Sequence, residues 1–186
     1  MSNIYELRKQ FAYDLSSMDS VMENIMYKLV LESDDLWKLL KYNDHDALSN
    51  DDLTTTEKLN MIENKTPLDD SSKVVKLVPY LNGQVLENQT TELRIYAYDT
   101  IFANDTYVTQ EVRFDIITHY NNYLVEGGDR VNKIKSELIK VLDNFNYDDA
   151  PGVMGSFTFQ NNTGRLQPFD SGYIGCNLIL TGDMKW

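Results

Sequence analysis

Along the start of the chain, Ile4, Leu7, Phe11, Leu15, Met18, Met22, Ile25 and Leu29 recur at intervals of three and four. That spacing puts them in one stripe on an amphipathic helix. Asn3 supplies a capping side chain, and Glu6 stands where it can reach back to it. No Pro or Gly interrupts Asn3 to Glu32. The pattern predicts one helix roughly 40 Å long at 1.5 Å per residue, or two shorter ones broken near Ser16 and Ser17. Ser33 or Asp34 then caps a short helix carrying Leu36, Trp37, Leu39 and Leu40. "YNDHDALSNDD" reads as a polar loop. Thr54 followed by Glu57 matches a capping box and predicts a third helix over "TTEKLNMIEN". Pro67 and "DDSS" close this helical part.

Beyond it the period changes. "KVVKLVPYL" reads as an extended segment broken by Pro79. In "TELRIYAYD", Leu93, Ile95 and Ala97 point one way and Arg94, Tyr96 and Tyr98 the other. "TYVTQEVRFDIITHY" alternates again, with Val108, Val112, Phe114 and Ile116 on one face; "DTIFAND" between them reads as the hairpin connection. Asp129 is a good N-cap for a helix whose buried stripe is Val131, Ile134, Leu138, Val141, Leu142 and Phe145, stopped by "NYDDAPG". "VMGSFTFQN" and "YIGCNLILTG" read as two more strands, joined by "NTGRLQPFDSG" as a loop. The order predicts an α+β fold: N-terminal helices, then a mainly antiparallel sheet of ββ-α-ββ order with one helix packed on it. Residues 1–66 would form the helical region and 73–184 the α+β domain.

Composition narrows the function more than the fold. At 186 residues and 42% hydrophobic, the chain can build one sizeable core plus an extension. The formal charge is −12, from 29 acidic against 17 basic residues, and no Lys/Arg cluster exists to grip phosphates. An acidic wall can still line a channel that nucleic acid slides through, because it repels the phosphates. No run of about 18 apolar residues occurs, so no membrane span is expected, and "MSNIYELRKQ" lacks the apolar core of a signal peptide. The one cysteine, Cys176, lies in an apolar run; it excludes an internal disulfide, fits a reducing cytosol and reads as a buried small side chain.

Candidate chemistry is sparse. Gly127 and Gly128 stand between a predicted strand and a predicted helix, where some enzymes hold phosphate. The flanking residues match neither a Walker loop nor a dinucleotide fingerprint, and Asp129 would repel an anion. The glycines read as a positive-φ turn before a cap. "DHDALSNDD" lacks the Gly and Glu of a calcium loop. His45 and His119 are the only histidines and form no zinc motif. A Cys176–His119 pair would need the two to meet in space. The remaining enzymatic alternative is a site assembled from distant acids near His119 and Asp115. No catalytic, cofactor or metal residues are assigned.

Three stretches together resemble the small ring-forming neck and tail-completion proteins of tailed bacteriophages, the tail-terminator group included. They are "EVRFDIITHY", then "GGDRVNKIKSELIKVLDN", then "GSFTFQN … GRLQPFDSGYIGCNLIL", within about residues 73 to 184. The leading segment "IYELRKQFAYDL … LWKLLKYNDHDALSN" is similar to N-terminal regions of related neck proteins. The resemblance implies a virion protein without catalytic residues, made in the host cytoplasm. It implies a homo-oligomeric ring, six- or twelve-fold, that contacts portal or connector and tail proteins and leaves a lumen for DNA that it does not bind specifically. On this reading Leu7, Phe11, Leu15, Met18, Met22, Trp37, Phe102, Pro168 and Phe169 are the candidate subunit contacts. The helical extension leaves terminator, connector and stopper all open. A small phage protein that binds a host factor is the other alternative.

Overall fold

A computed structural model of the chain describes residues 20–63, 73–79, 89–102, 107–143, 145–146, 156–161, 163–169 and 172–185. Helix α1 (Ser20–Glu32) leads into α2 (Asp34–Lys41), a 3-10 turn (Ala47–Ser49) and α3 (Thr55–Asn60). The short strands β1 (Ile62–Glu63) and β2 (Val75–Lys76) precede the long pair β3 (Thr91–Phe102) and β4 (Tyr107–His119). A 3-10 turn (Tyr120–Asn122) and the small hairpin β5 (Leu124–Val125) and β6 (Gly128–Asp129) come next, then α4 (Arg130–Leu142). Strands β7 (Phe145–Asn146), β8 (Ser156–Phe159), β9 (Gln167–Phe169) and β10 (Tyr173–Lys185) complete the chain. The main sheet runs β1-β2-β3-β4-β10-β8-β7, with β9 beside β10. Its centre is antiparallel, and among the described residues only β1–β2 and β2–β3 pair in parallel. The fold is α+β, as expected. Among the described residues no helix is long and apolar enough to cross a membrane.

The helix ends follow from local chemistry. Ser33 caps α2 by accepting from the Leu36 amide, and its own hydroxyl donates to Glu137 at 2.8 Å, tying α2 to α4. Thr54 and Glu57 form the reciprocal capping box of α3. Asp129 accepts from the Asn132 amide at 2.8 Å and starts α4. Gly127 (φ +75°) sits in the turn between β5 and β6, a backbone position that a Cβ would strain. The glycine pair therefore turns a small hairpin that ends in a cap, and Asp129 fills the helix N-terminus.

One hydrophobic cluster joins the two expected regions. Ile25, Met26 and Leu29 of α1 and Leu36, Trp37 and Leu40 of α2 bury with Val131, Ile134 and Leu138 of α4. Beneath them lie Leu93 and Ile95 of β3, Val112, Phe114 and Ile116 of β4, and Leu178 and Leu180 of β10. The expected boundary between 66 and 73 lies outside the described residues; on either side of it the chain shares this core.

Three expectations are corrected. "DTIFAND" is not simply a hairpin connection: β3 continues through Phe102, paired to Val108. Phe145 does not extend the stripe of α4, which ends at Leu142 and is capped at Asp143; Phe145 starts β7. "NTGRLQPFDSG" is not wholly a loop, because Gln167–Phe169 pairs with Tyr173, Ile174 and Gly175 as an edge strand, where a proline is tolerated. Ala97 keeps the side of Leu93 and Ile95, opposite Val112, as the alternation predicts, and is exposed beside a bulge that shifts the register between Ala97 and Asp99. The predicted helix upstream of Ser20, with its break near Ser16 and Ser17, lies outside the described residues.

Arg130, the first residue of α4, is fully buried. Its Nε donates to the Asn122 carbonyl at 2.7 Å, Nη1 to those of Leu39 and Tyr42 at 2.6 Å each, and Nη2 to that of Asp44 at 2.7 Å. Among the described residues no carboxylate bonds it; burial draws its pKa below the ordinary arginine value, while the Asp44 charge opposes this. The cation instead meets the carbonyls that the end of α2 leaves unpaired, where a helix dipole is negative. Arg130→Met will destabilise the fold by about 3–5 kcal/mol, because several buried carbonyls lose their donor. Arg130→Lys will recover less than half of that, since one ammonium cannot reproduce the planar fork. Chemical denaturation followed by circular dichroism measures both.

A second prediction concerns acid. Thr54 and Lys41 hold the Glu57 carboxyl down from 4.5 to about 2, with the Lys41 bond as the largest cause. A folded-state pKa below the unfolded one contributes stability that is complete above about pH 4.5 and is lost as the pH falls through about 2. Wild type will lose stability across that window, and Glu57→Gln will lose less, measured as melting temperature against pH.

Candidate functional site

The sheet has two unlike sides. Opposed residues of antiparallel strands share a side, so Leu93/Ile116/Cys176, Ile95/Phe114/Leu178 and Ala97/Val112/Leu180 form rows facing the helices. The rows of the far side are Glu92/Ile117/Gly175, Arg94/Asp115/Asn177 and Tyr96/Arg113/Ile179. Every charged side chain in those six rows falls on the far side.

Two charge groups organise it. Lys76 donates to Glu92 Oε1 at 3.1 Å, and Arg94 Nη2 to Glu92 Oε2 at 2.8 Å; all three residues are buried. Nearer the end of the β3–β4 pair, Asp115 is buried and doubly engaged. Its Oδ1 accepts from Arg113 Nε at 3.0 Å and its Oδ2 from the Tyr96 hydroxyl at 2.8 Å. Tyr98, the residue displaced by the bulge, lies under the Arg113 guanidinium, 5.1 Å from ring centroid to Cζ. Bulges re-aim side chains in this way. Burial and the Asp115 charge raise the Tyr96 hydroxyl far above its ordinary pKa, so it remains a donor. For Arg113, burial pulls its pKa down, but Asp115 and Tyr96 outweigh it and the guanidinium is held above its ordinary value. The outcome is a row that runs from buried charge to exposed aromatic, with Tyr98 half-exposed at its end.

The residues considered for catalysis do not converge. Cys176 faces the helices opposite Ile116, whereas His119 lies on the far side of β4 opposite Tyr173, so no Cys–His pair forms. Burial pushes the Cys176 thiol up to about 11, which keeps it protonated and unreactive at neutral pH. Asp115 and His119 are four residues apart on an extended strand, roughly 13 Å along its axis. Asp115 is held by Arg113 and Tyr96, while His119 Nδ1 accepts from the Asn121 amide and its ring meets Tyr120 and Tyr173. His45 is exposed, its carbonyl accepting from the Glu126 amide. Among the described residues no cluster of His, Cys, Asp and Glu could hold a metal ion.

The expected subunit contacts separate into groups. Met22 and Trp37 are buried in the chain's own core, with the Trp37 indole donating to the Leu29 carbonyl at 2.9 Å. Both side chains are therefore covered within the chain itself. Phe169 packs on its own sheet: a Cβ on Gly175 would lie 3.0 Å from its ring. Pro168 is exposed on β9. Phe102 ends β3, while Leu7, Phe11, Leu15 and Met18 lie outside the described residues. Sequence reasoning missed the Tyr96–Asp115–Arg113–Tyr98 group. The alternation already put Tyr96 and Tyr98 on one side, but the pairing of Asp115 with Arg113 depends on register and the role of Tyr98 on the bulge.

No curated protein matches this chain. The family model YomW matches residues 33–181, from the cap of α2 to within β10, and takes in the sheet, α2, α4, the Arg130 contacts and both charge groups, while the α1 part of the core lies before it. The chain belongs to the phage-derived YomW family.

Proposed function

We propose that the chain is a structural protein of a tailed-phage particle, assembling as a homo-oligomeric ring in the neck that joins head to tail around a passage for DNA. The observation that carries this reading is the outer edge of β3. Strand β2 pairs with it only at Leu93 and Arg94. From Ile95 to Phe102 no strand lies on that edge among the described residues. A sheet edge is a template for another chain. A ring supplies that chain and ends the series, because head-to-tail contacts under cyclic symmetry close.

Three further features support it. The apolar faces of α1, α2 and α4 are satisfied within one chain, so the subunit is folded before it meets a neighbour. The net charge of −12 suits a lumen wall from which DNA is repelled. The family is phage-derived. Terminator and connector roles use the same ring and differ in what stacks above and below it.

Native mass spectrometry of the purified chain should give species at six or twelve times 21.5 kDa, and the polypeptide should be present in purified particles at a matching copy number. A chain that stays monomeric at high concentration and is missing from particles overturns the reading and favours a host-factor binder.

A further inference from the structure

Helix α3 is attached to the fold mainly by charge. Of its six described residues, Thr55–Asn60, only Lys58 is buried. A helix that short does not hold itself in water, and a surface helix ordinarily docks by an apolar face. Here the buried side chain is a cation. Lys58 Nζ donates to the Val30 carbonyl near the end of α1 at 2.9 Å and to Asp34 Oδ1 at the start of α2 at 2.5 Å. It therefore lies over the corner where α1 meets α2.

Two more ion pairs join α2 to the same segment. Lys38 Nζ meets Asp52 Oδ1 at 2.6 Å, and Lys41 Nζ meets Glu57 Oε1 at 2.9 Å. Three charged residues of α2 thus each bond one residue between 52 and 58. The carboxylates of these pairs face solvent: the side chains of Asp52, Glu57 and Asp34 are 64%, 47% and 49% exposed. Water and dissolved ions reach one partner of every pair. The apolar hold is smaller, with Leu53 buried and Leu59 half-buried against the core. Both ends of the segment are fixed separately. Asn50 donates from its amide and side chain to the Ala47 carbonyl, and the Met61 carbonyl accepts from the Val74 and Val75 amides.

We propose that residues 51–60 form a strap across the α1–α2 corner, which opens as one unit when its ion pairs are screened while the core beneath stays folded. One exposed pair shifts such an equilibrium only severalfold. Three on one short segment add, because lifting the segment breaks all of them. Added salt acts on them directly: the Debye length falls from about 10 Å at about 0.1 M to about 3 Å at about 1 M. The contacts of Arg130 are buried and end on neutral carbonyls, so salt leaves them in place. Opening takes the lysine donor from the Val30 carbonyl and bares Leu53, so the corner presents one surface at low salt and another at high salt. The strap operates within one chain, whether or not copies form a ring.

Hydrogen exchange of the full chain, read by mass spectrometry at constant pH over a salt series, tests this. Peptides covering 51–60 should exchange about tenfold faster at about 1 M salt than at about 0.05 M, and those covering α4 and β4 should keep their rates. The double variant Asp52→Asn/Lys41→Gln leaves the Thr54–Glu57 capping box intact. At low salt it should exchange over 51–60 as wild type does at high salt, respond less to added salt, and keep the wild-type circular dichroism. Rates over 51–60 that ignore salt show an apolar attachment and overturn the strap. Rates that rise equally in every peptide show loosening of the whole fold and overturn it too, as does a double variant whose exchange and salt response match wild type.

Discussion

A buried guanidinium holds the two halves of this molecule in register. Moving a cation out of water costs several kcal/mol even after relaxation. Arg130 offsets that cost with four charge-assisted bonds to peptide carbonyls, three of them at and just beyond the end of α2. The same residue is the first of α4, and its amide donates to Tyr123. A single side chain thus fixes where the second helix stops, how the β4–α4 connection lies, and how α4 sits on the sheet. The stretch from Asp44 onward is then held from both sides, since Glu126 donates to the His45 carbonyl. The apolar cluster supplies most of the driving force. It is non-directional, and the Arg130 contacts give it one arrangement.

Much of the fold was legible because its local signals agree with its packing. Thr54–Glu57 and Asp129 are caps whose chemistry is complete within four residues, and both form. The alternation of Leu93 and Ile95, and of Val112, Phe114 and Ile116, predicted the buried side of the sheet. What could not be read depends on distant partners. Arg130 follows an N-cap in a charged stretch and looks like any first-turn residue; its acceptors lie up to 91 positions away. Arg94 alternates outward, yet it is fully buried because Glu92 meets its charge. Gln167–Phe169 contains a proline and has no alternation long enough to detect, and it is a strand only because β10 lies beside it. Phe145 continues the helical spacing arithmetically, but the Asp143 cap ends the helix first.

The same distinction explains why the candidate contacts divided as they did. An apolar stripe on a helix says that something covers it, not whether the cover is in the same chain. For Met22 and Trp37 it is the chain's own sheet and α4. Edge strands behave differently, because their unmet requirement is a row of hydrogen bonds, and helix packing cannot satisfy it. On the far side of the sheet the composition is polar and hydropathy gives no signal.

Arg113 and Arg130 form an internal comparison that clarifies the far side. One is wholly buried and saturated by carbonyls; the other has 26% of its side chain exposed and a free edge. Water can satisfy that edge in the free subunit, so leaving it open costs little. Excluding water from it without supplying acceptors would cost about 1–3 kcal/mol. Any surface that covers Tyr98 must therefore bring acceptors to Arg113. That requirement selects among partners more sharply than apolar area would, because a wrong register leaves the guanidinium dry and unpaired.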